Sequence, residues 1–481
     1  MPSDLVTGQS SAVVVGSGPN GLTAAVTLAK AGWSVLVIEG AEEIGGGLRS
    51  AELFESGTTH DVCAAVHPLG RLSPAWSDLH EWGLRWITPE VSFAHVFDER
   101  QVLSVDRSWE QTLRNLGDDA ARWRRVMGSL SRDPERLVTE ILQPLRIPNH
   151  PSAWLSFGPR ALCSTDLITR AFTDPRTRTL FAAVAAHGIR PTDSAASAAP
   201  GLLLTAAAST TGWPVARGGS RAIADALAKQ LISLGGQIET GWQVSTFAEL
   251  PAATAVLFDT SPTALASILA DRLPARYRRR LAKYRYGPGV CKIDYLLSEP
   301  IPWRSDDLGR TATFHLAPSY EAISSVEADV AAGRHPTRPW LLGGEPTRID
   351  PSRASVGRRV AWAYCHVPHG SDVDMGETMT AEIERCAPGF RDTVVASRVR
   401  TAADFSRYNP NLVGGDIGCG ASDFRQLLGR PVASPNPYAT PVEGVYLCSS
   451  ATPPGGGAHG MSGYNAARAV LRKFRSLARH A

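Results

Sequence analysis

A short β-prone run, Ser11-Ala-Val-Val-Val15, leads straight into Gly16-Ser-Gly18-Pro-Asn-Gly21 and then into LTAAVTLAKAG. Such a run suits a buried parallel strand and is too short for a helix, whereas the Ala- and Leu-rich stretch after it reads as a helix closed by Gly32. A second apolar strand, residues 33–38, ends at Glu39. A strand, three spaced glycines, a helix and a second strand make a nucleotide cradle. Gly16 permits the tight turn, Gly18 lets backbone approach a diphosphate, and Gly21 lets the helix pack closely on the strand. Pro19 and Asn20 lie in the same turn, at a helix N-terminus whose free amides and positive dipole end attract an anion. Glu39 is spaced to accept hydrogen bonds from a ribose diol, and its charge disfavours a 2′-phosphate.

Beyond Glu39 and Gly40 the chain reads Gly45-Gly46-Gly47-Leu-Arg49-Ser50. The glycines allow a second stretch of backbone to approach the ligand, and Arg49 offers a fixed cation for phosphate or flavin polar groups. The pattern resembles the extension that follows the second strand in FAD-binding proteins of the glutathione reductase superfamily, in particular the amine oxidase and phytoene desaturase branches. That resemblance implies FAD rather than NAD as the cofactor.

Two further blocks carry the same resemblance. A strand at 444–448 precedes Gly455-Gly456-Gly457-Ala458-His459-Gly460-Met461, and residues 464–479 have helix-like apolar spacing. This is similar to the closing segment of phytoene desaturase-like flavoproteins, and the resemblance implies that Gly456, Gly457, Ala458 and Met461 lie beside the flavin or its ribityl chain. In the middle, Pro214-Val-Ala-Arg-Gly218-Gly219 precedes a helix and then a strand over 237–244. By the same resemblance the end of that strand, at Val244, faces the adenine. A further strand, residues 255–258, turns through Asp259-Thr-Ser-Pro262 into another helix.

The resemblance implies an α/β fold in which a Rossmann-like, glutathione reductase-type FAD-binding domain is interleaved with an α+β substrate domain. The first comprises residues 1–75, 213–280 and 435–481, and the second 76–212 and 281–434. Helix-like runs such as 120–132 and 176–187, punctuated by Pro144, Pro148, Pro151 and Pro159, suggest a helical lid. Strand-like runs at 291–297 and 359–366 suggest an antiparallel sheet as the other wall.

Three polar residues are candidates for chemistry. Asp61 and His67 fall in a segment that the family places near the flavin, and His459 sits in the closing glycine turn; a structural hydrogen bond or a satisfied core histidine is the competing reading for each. His187 and His315 read as packing or surface residues. Cys365, His366 and His369 look superficially like metal ligands, but neighbours on a strand point to opposite faces and no fourth ligand is spaced to join them, so no metal is expected.

Composition bounds the partners. Forty-nine basic and 46 acidic residues leave a formal charge of +3, too little for a nucleic-acid surface; it is the resemblance that implies a small hydrophobic molecule as the partner. Seven cysteines without a CxxC pair argue against a disulfide framework or zinc site and for a reducing, cytoplasmic setting. No secretion signal or integral membrane segment is read. The apolar stretch Leu202 to Ala208 is read as internal, with contact at a bilayer surface as the alternative. The expected activity is that of an FAD-dependent dehydrogenase or desaturase removing hydride from a hydrophobic, isoprenoid or lipid-like substrate. The alternatives are an amine or alcohol oxidase, a non-redox flavin isomerase, and a flavin-binding protein with a stabilising or assembly role.

Overall fold

The computed structural model describes residues 10–478. The opening strand Ser11–Val15 forms the centre of a five-stranded parallel sheet, flanked by Ala255–Phe258 and Val445–Leu447 on one side and by Ser34–Ile38 and Gln237–Glu239 on the other. Central strands of a parallel sheet are covered on both faces, which is why the run SAVVV is buried throughout. One face is covered by the helices Pro19–Ala29, Arg221–Ser233 and Met461–Ala478, which share a core with Ala12, Val14, Val35, Val37 and Leu257. The first and last of these approach so closely that a Cβ on Gly463 would lie 1.8 Å from the Asn20 carbonyl oxygen.

The second sheet has seven strands, in the order Val394–Arg400, Gly289–Leu297, Arg359–Val367, Leu341–Gly344, Thr313–Leu316, Val91–Val96 and Val102–Asp106. Its pairings are antiparallel except that Thr313–Leu316 runs parallel to Val91–Val96. The sheet is therefore mixed, and it includes a hairpin from the stretch read as helical. VSFAHV is buried along its whole length, so it lacks the polar alternation that marks a half-exposed strand.

Between the hairpin and residue 212 the chain is helical. Pro134, Pro151 and Pro175 each begin a helix, where a missing N–H costs nothing, while Pro159 lies inside Pro151–Ala161 rather than ending it. The helices expected over 120–132 and 176–187 span Ala120–Met127 and Pro175–Ala185. The strand expected over 237–244 stops at Glu239, and the terminal helix begins at Met461; Arg479 falls outside the described residues. Leu202, Leu203, Ala206, Ala207 and Ala208 are buried in Ala198–Ala208, where the run packs in the interior. Among the described residues no helix is long and apolar enough to cross a membrane.

Candidate active site

Ligands of open parallel sheets bind beyond the carboxyl ends of the strands. Here Val15, Ile38 and Asp259, which stand at or just past three such ends, open onto a single cavity of about 1080 Å³. Gly16, Gly18, Pro19 and Asn20 line it, as do Glu39, Gly40, Gly46, Gly47, Arg49, Val244, Gly456, Gly457 and Ala458. Gly18 caps the helix Pro19–Ala29 without a side chain of its own, and the Gly21 amide in the first turn is taken by the Asp259 carboxyl at 2.8 Å. A Cβ on Gly18 would meet the Asp259 carboxyl at 2.6 Å, and one on Gly46 would lie 3.1 Å from Gly18 Cα, so the two glycine turns fit only because both lack side chains.

Two expected residues do not reach the cavity. Gly21 is turned into the fold, where a Cβ would lie 2.0 Å from the Gly16 carbonyl oxygen; its role is helix–strand packing. Met461, expected beside the flavin, opens the terminal helix with its side chain buried among the lid helices. Its amide donates to His459 Nδ1 at 3.1 Å.

Glu39 and Arg49 were expected to face the ligand independently, but they are paired. Glu39 accepts from the backbone amides of Ser17 (2.9 Å) and Ala41 (3.0 Å), and from Arg49 at 3.2 Å. The Arg49 guanidinium also donates to the Glu43 carbonyl and lies 5.6 Å from the centre of the Tyr408 ring. Both charges are thus oriented at the wall before any ligand arrives.

The three candidates for chemistry separate. Asp61 is buried and absent from the cavity wall: it pairs with Arg353 and accepts from Ser50 Oγ and the Ser220 amide, each at 2.7 Å. Burial alone would raise its carboxyl, but the Arg353 guanidinium and these donors outweigh that and hold it below the usual range. Arg353 donates as well to Asp350 and the Ala216 carbonyl, so Asp61 belongs to a buried polar cluster that ties together segments distant in sequence. That makes it a structural residue.

His67 and His459 do line the cavity. His67 Nε2 lies 2.8 Å from Ser220 Oγ, whose own proton goes to the Ala64 carbonyl, so His67 is the donor and its Nδ1 is left without a partner. His459 uses Nδ1 as acceptor and leaves a buried Nε2 unpartnered. Burial pushes each down to about 4, so both are neutral at pH 7.

Asp259 is the wall residue that the motifs did not single out. Its carboxyl accepts from the Gly21 amide at 2.8 Å, and burial together with the nearby Glu39 charge raises it to about 7. Its position after a parallel strand was the available signal. Asp416 is a second: it gathers the amides of Gly287, Gly418 and Gly420 into the loop that closes over the cleft, which no sequence pattern announced.

Away from the glycine turns, the cavity continues between the lid and the mixed sheet. Its wall there includes Leu142, Phe157, Leu203, Leu204, Trp213 and Trp362.

The model of flavin-containing amine oxidoreductases matches residues 20–325, more than half of the chain. The chain belongs to this flavin-dependent family. FAD is its cofactor. Among curated proteins it is similar to pyridine nucleotide-disulfide oxidoreductase domain-containing protein 2 of Mus musculus, 27% identical over 55% of this chain and 52% of that protein. It is also similar to the 4,4'-diapolycopen-4-al dehydrogenase of Metabacillus indicus, 30% identical over 25% of each chain. The matches thus span about half of the first relative and a quarter of the second. Among solved structures, an oxidoreductase from Methanosarcina mazei superposes with a TM-score of 0.64 at 17% identity, covering 96% of this chain and 100% of that one. Cyclohexylamine oxidase from Brevibacterium oxydans gives 0.59 at 13%, covering 97% and 99%. These two likenesses establish the flavoenzyme fold. The parallel sheet with its glycine turns makes one part of the cavity wall, and the mixed sheet and the helices before residue 212 make the remainder.

Proposed function

We propose that this flavoenzyme oxidises a long, hydrophobic, isoprenoid- or lipid-like substrate that lies between the lid and the mixed sheet. The observation that carries the reading is the continuity of one cavity from the glycine turns to an apolar arm. A volume of about 1080 Å³ is large for a single small ligand, since such pockets run from about 300 to 1,000 Å³. Where the cavity opens, Leu145, Leu162, Phe424 and Leu428 are both wall and exposed surface, an entrance suited to a substrate leaving an apolar phase.

The residues present fit FAD. The N-terminal end of the helix Pro19–Ala29 suits its diphosphate, Gly46, Gly47, Gly456, Gly457 and Ala458 leave room for the ribityl chain and ring, and Val244 and Trp242 line the end suited to adenine. The flavin supplies the hydride acceptor when bound. The protein's own contribution is to hold the substrate C–H against it, exclude water and keep charge away. The acidic wall residues are Glu39, Asp259 and Asp416, all on the nucleotide half or its closing loop and all hydrogen-bonded to backbone amides. An ammonium group in the apolar arm would find no carboxylate there, which argues against an amine as substrate.

The test is anaerobic mixing of the flavin-loaded protein with polyprenyl and long-chain lipid substrates on one hand and alkyl amines on the other, with the flavin absorbance followed. Bleaching by the first group supports the reading; bleaching by amines alone, or by neither group, overturns it.

A further inference from the structure

The apolar arm is not wholly apolar. His187 lines it, and behind His187 lie buried imidazoles that none of the roles above uses. His187 Nε2 is 3.0 Å from His315 Nε2, with the rings nearly perpendicular at 88°. Trp213 packs edge-on against both, and Phe93 against His315. Burial pushes His187 down to about 3 and His315 well below its ordinary value, so the pair is neutral and one proton lies between the two Nε2 atoms.

Which ring owns that proton follows from what the other nitrogens meet. His315 Nδ1 is buried with no partner. A hydrogen there would be an orphaned donor, whereas a bare lone pair is the milder defect. The neighbouring His95 follows the same rule, donating from Nε2 to the Ala317 carbonyl at 2.9 Å and leaving its buried Nδ1 without a partner. With the proton of His315 on Nε2, donated to His187, neutral His187 must carry its own on Nδ1. That nitrogen has no partner among the described residues and is not sealed in the interior as His315 Nδ1 is. Thr313, on the same face of the strand two residues before His315, also lines the cavity, with a buried hydroxyl that lacks a partner.

We propose that His187 Nδ1–H is a hydrogen-bond donor to the substrate, so that the substrate is an apolar chain bearing a neutral oxygen acceptor, a ketone, aldehyde or hydroxyl, rather than a bare hydrocarbon. This rests on the apolar-substrate reading and narrows it. Neutral imidazoles suit this task, because a charged anchor would have to be desolvated in the arm each time the site emptied and filled.

Hexadecan-2-one and hexadecane, delivered from cyclodextrin to the flavin-loaded protein, separate the possibilities when binding is read from tryptophan fluorescence. The ketone should bind about three- to tenfold more tightly, the effect of one net hydrogen bond. H187F should abolish that preference, so that ketone and alkane bind it alike, and H187Q, which restores an N–H donor, should recover part of the preference. A measurement free of any variant is the infrared band of a 13C-labelled ketone carbonyl, which should move on binding to lower frequency than in hexane. Equal affinity for ketone and alkane, a hexane-like carbonyl band, or a preference that survives H187F overturns the proposal. Failure of both probes to bind refutes instead the apolar-substrate reading, and the anchor with it.

Discussion

Replacing Asp259 with Asn should make FAD binding insensitive to pH. The Asp259 carboxyl sits among the glycines of the nucleotide turn, holding the Gly21 amide at 2.8 Å, and burial and the Glu39 charge raise it from 3.8 to about 7. A carboxyl whose folded value lies above its unfolded one stabilises the fold below the unfolded value. That contribution is lost as pH rises through the folded value, here between about pH 4 and pH 7. A rise of that size corresponds to an upper limit of about 4 kcal/mol. Water in the open cavity screens part of that, leaving a loss on the order of 2 kcal/mol in the FAD-free protein. A bound diphosphate adds negative charge at the same turn and keeps the carboxyl protonated, so above pH 7 each FAD must bring a proton with it. Affinity should then fall by up to about tenfold per pH unit between pH 7 and 9. Asn keeps an oxygen for the Gly21 amide and removes the titration. FAD fluorescence quenching across that range should give a sloping plot for the wild type and a flat one for D259N. Parallel plots would mean that Asp259 does not face the diphosphate.

Gly18→Val should abolish FAD retention, because a branched side chain on the cavity wall would stand where the turn's backbone approaches the diphosphate; stoichiometric yellow cofactor after gel filtration would contradict the site. Glu39→Ala should weaken FAD by about ten- to a hundredfold in a fluorescence titration, through loss of a charged acceptor and release of the Arg49 side chain. Arg353→Met leaves Asp61 buried and unpaired, and should cost about 3–5 kcal/mol in denaturant unfolding. If Asp61 were instead a catalytic group, Asp61→Asn would remove turnover and spare stability. Leu203→Arg places a charge in the apolar arm and should eliminate binding of long-chain ligands while FAD stays bound at its normal stoichiometry.

What the sequence made readable was local. The turn at Gly16, Gly18 and Gly21 needs only a few consecutive residues to declare itself, and Val244, Gly456, Gly457 and Ala458, placed by resemblance, do line the same cavity. What it hid depended on distant contacts. Asp61 looked chemical because it lies near the glycine-arginine segment, yet its role is set by Arg353, 292 positions away. His187 and His315 looked dispensable one at a time, and their contact spans 128 positions. The hairpin at Val91–Val96 was missed for a different reason. Its burial on both faces erases the period-two pattern by which strands are recognised.

The placement of charge within the cavity ties these observations together. The charged wall residues are Glu39, Arg49, Arg190, Asp259, Asp416 and Arg430, and each is already engaged by the protein: Arg49 by Glu39, Arg190 by the Ala195 and Ser422 carbonyls, Arg430 by the Ala421 and Ser450 carbonyls, and the three acids by backbone amides. In the arm His187 is held neutral by burial, so a bound chain meets no formal charge from it, and the Thr313 hydroxyl on the same wall is uncharged as well. Hydride removal leaves positive charge on the substrate carbon unless a proton also departs. A wall without carboxylates gives that charge no stabilisation of its own, which favours substrates whose oxygen or conjugated chain supplies it internally. The same wall would serve a cationic amine poorly. The residues around Trp213 and His187 therefore bear on substrate class more directly than the family's name does.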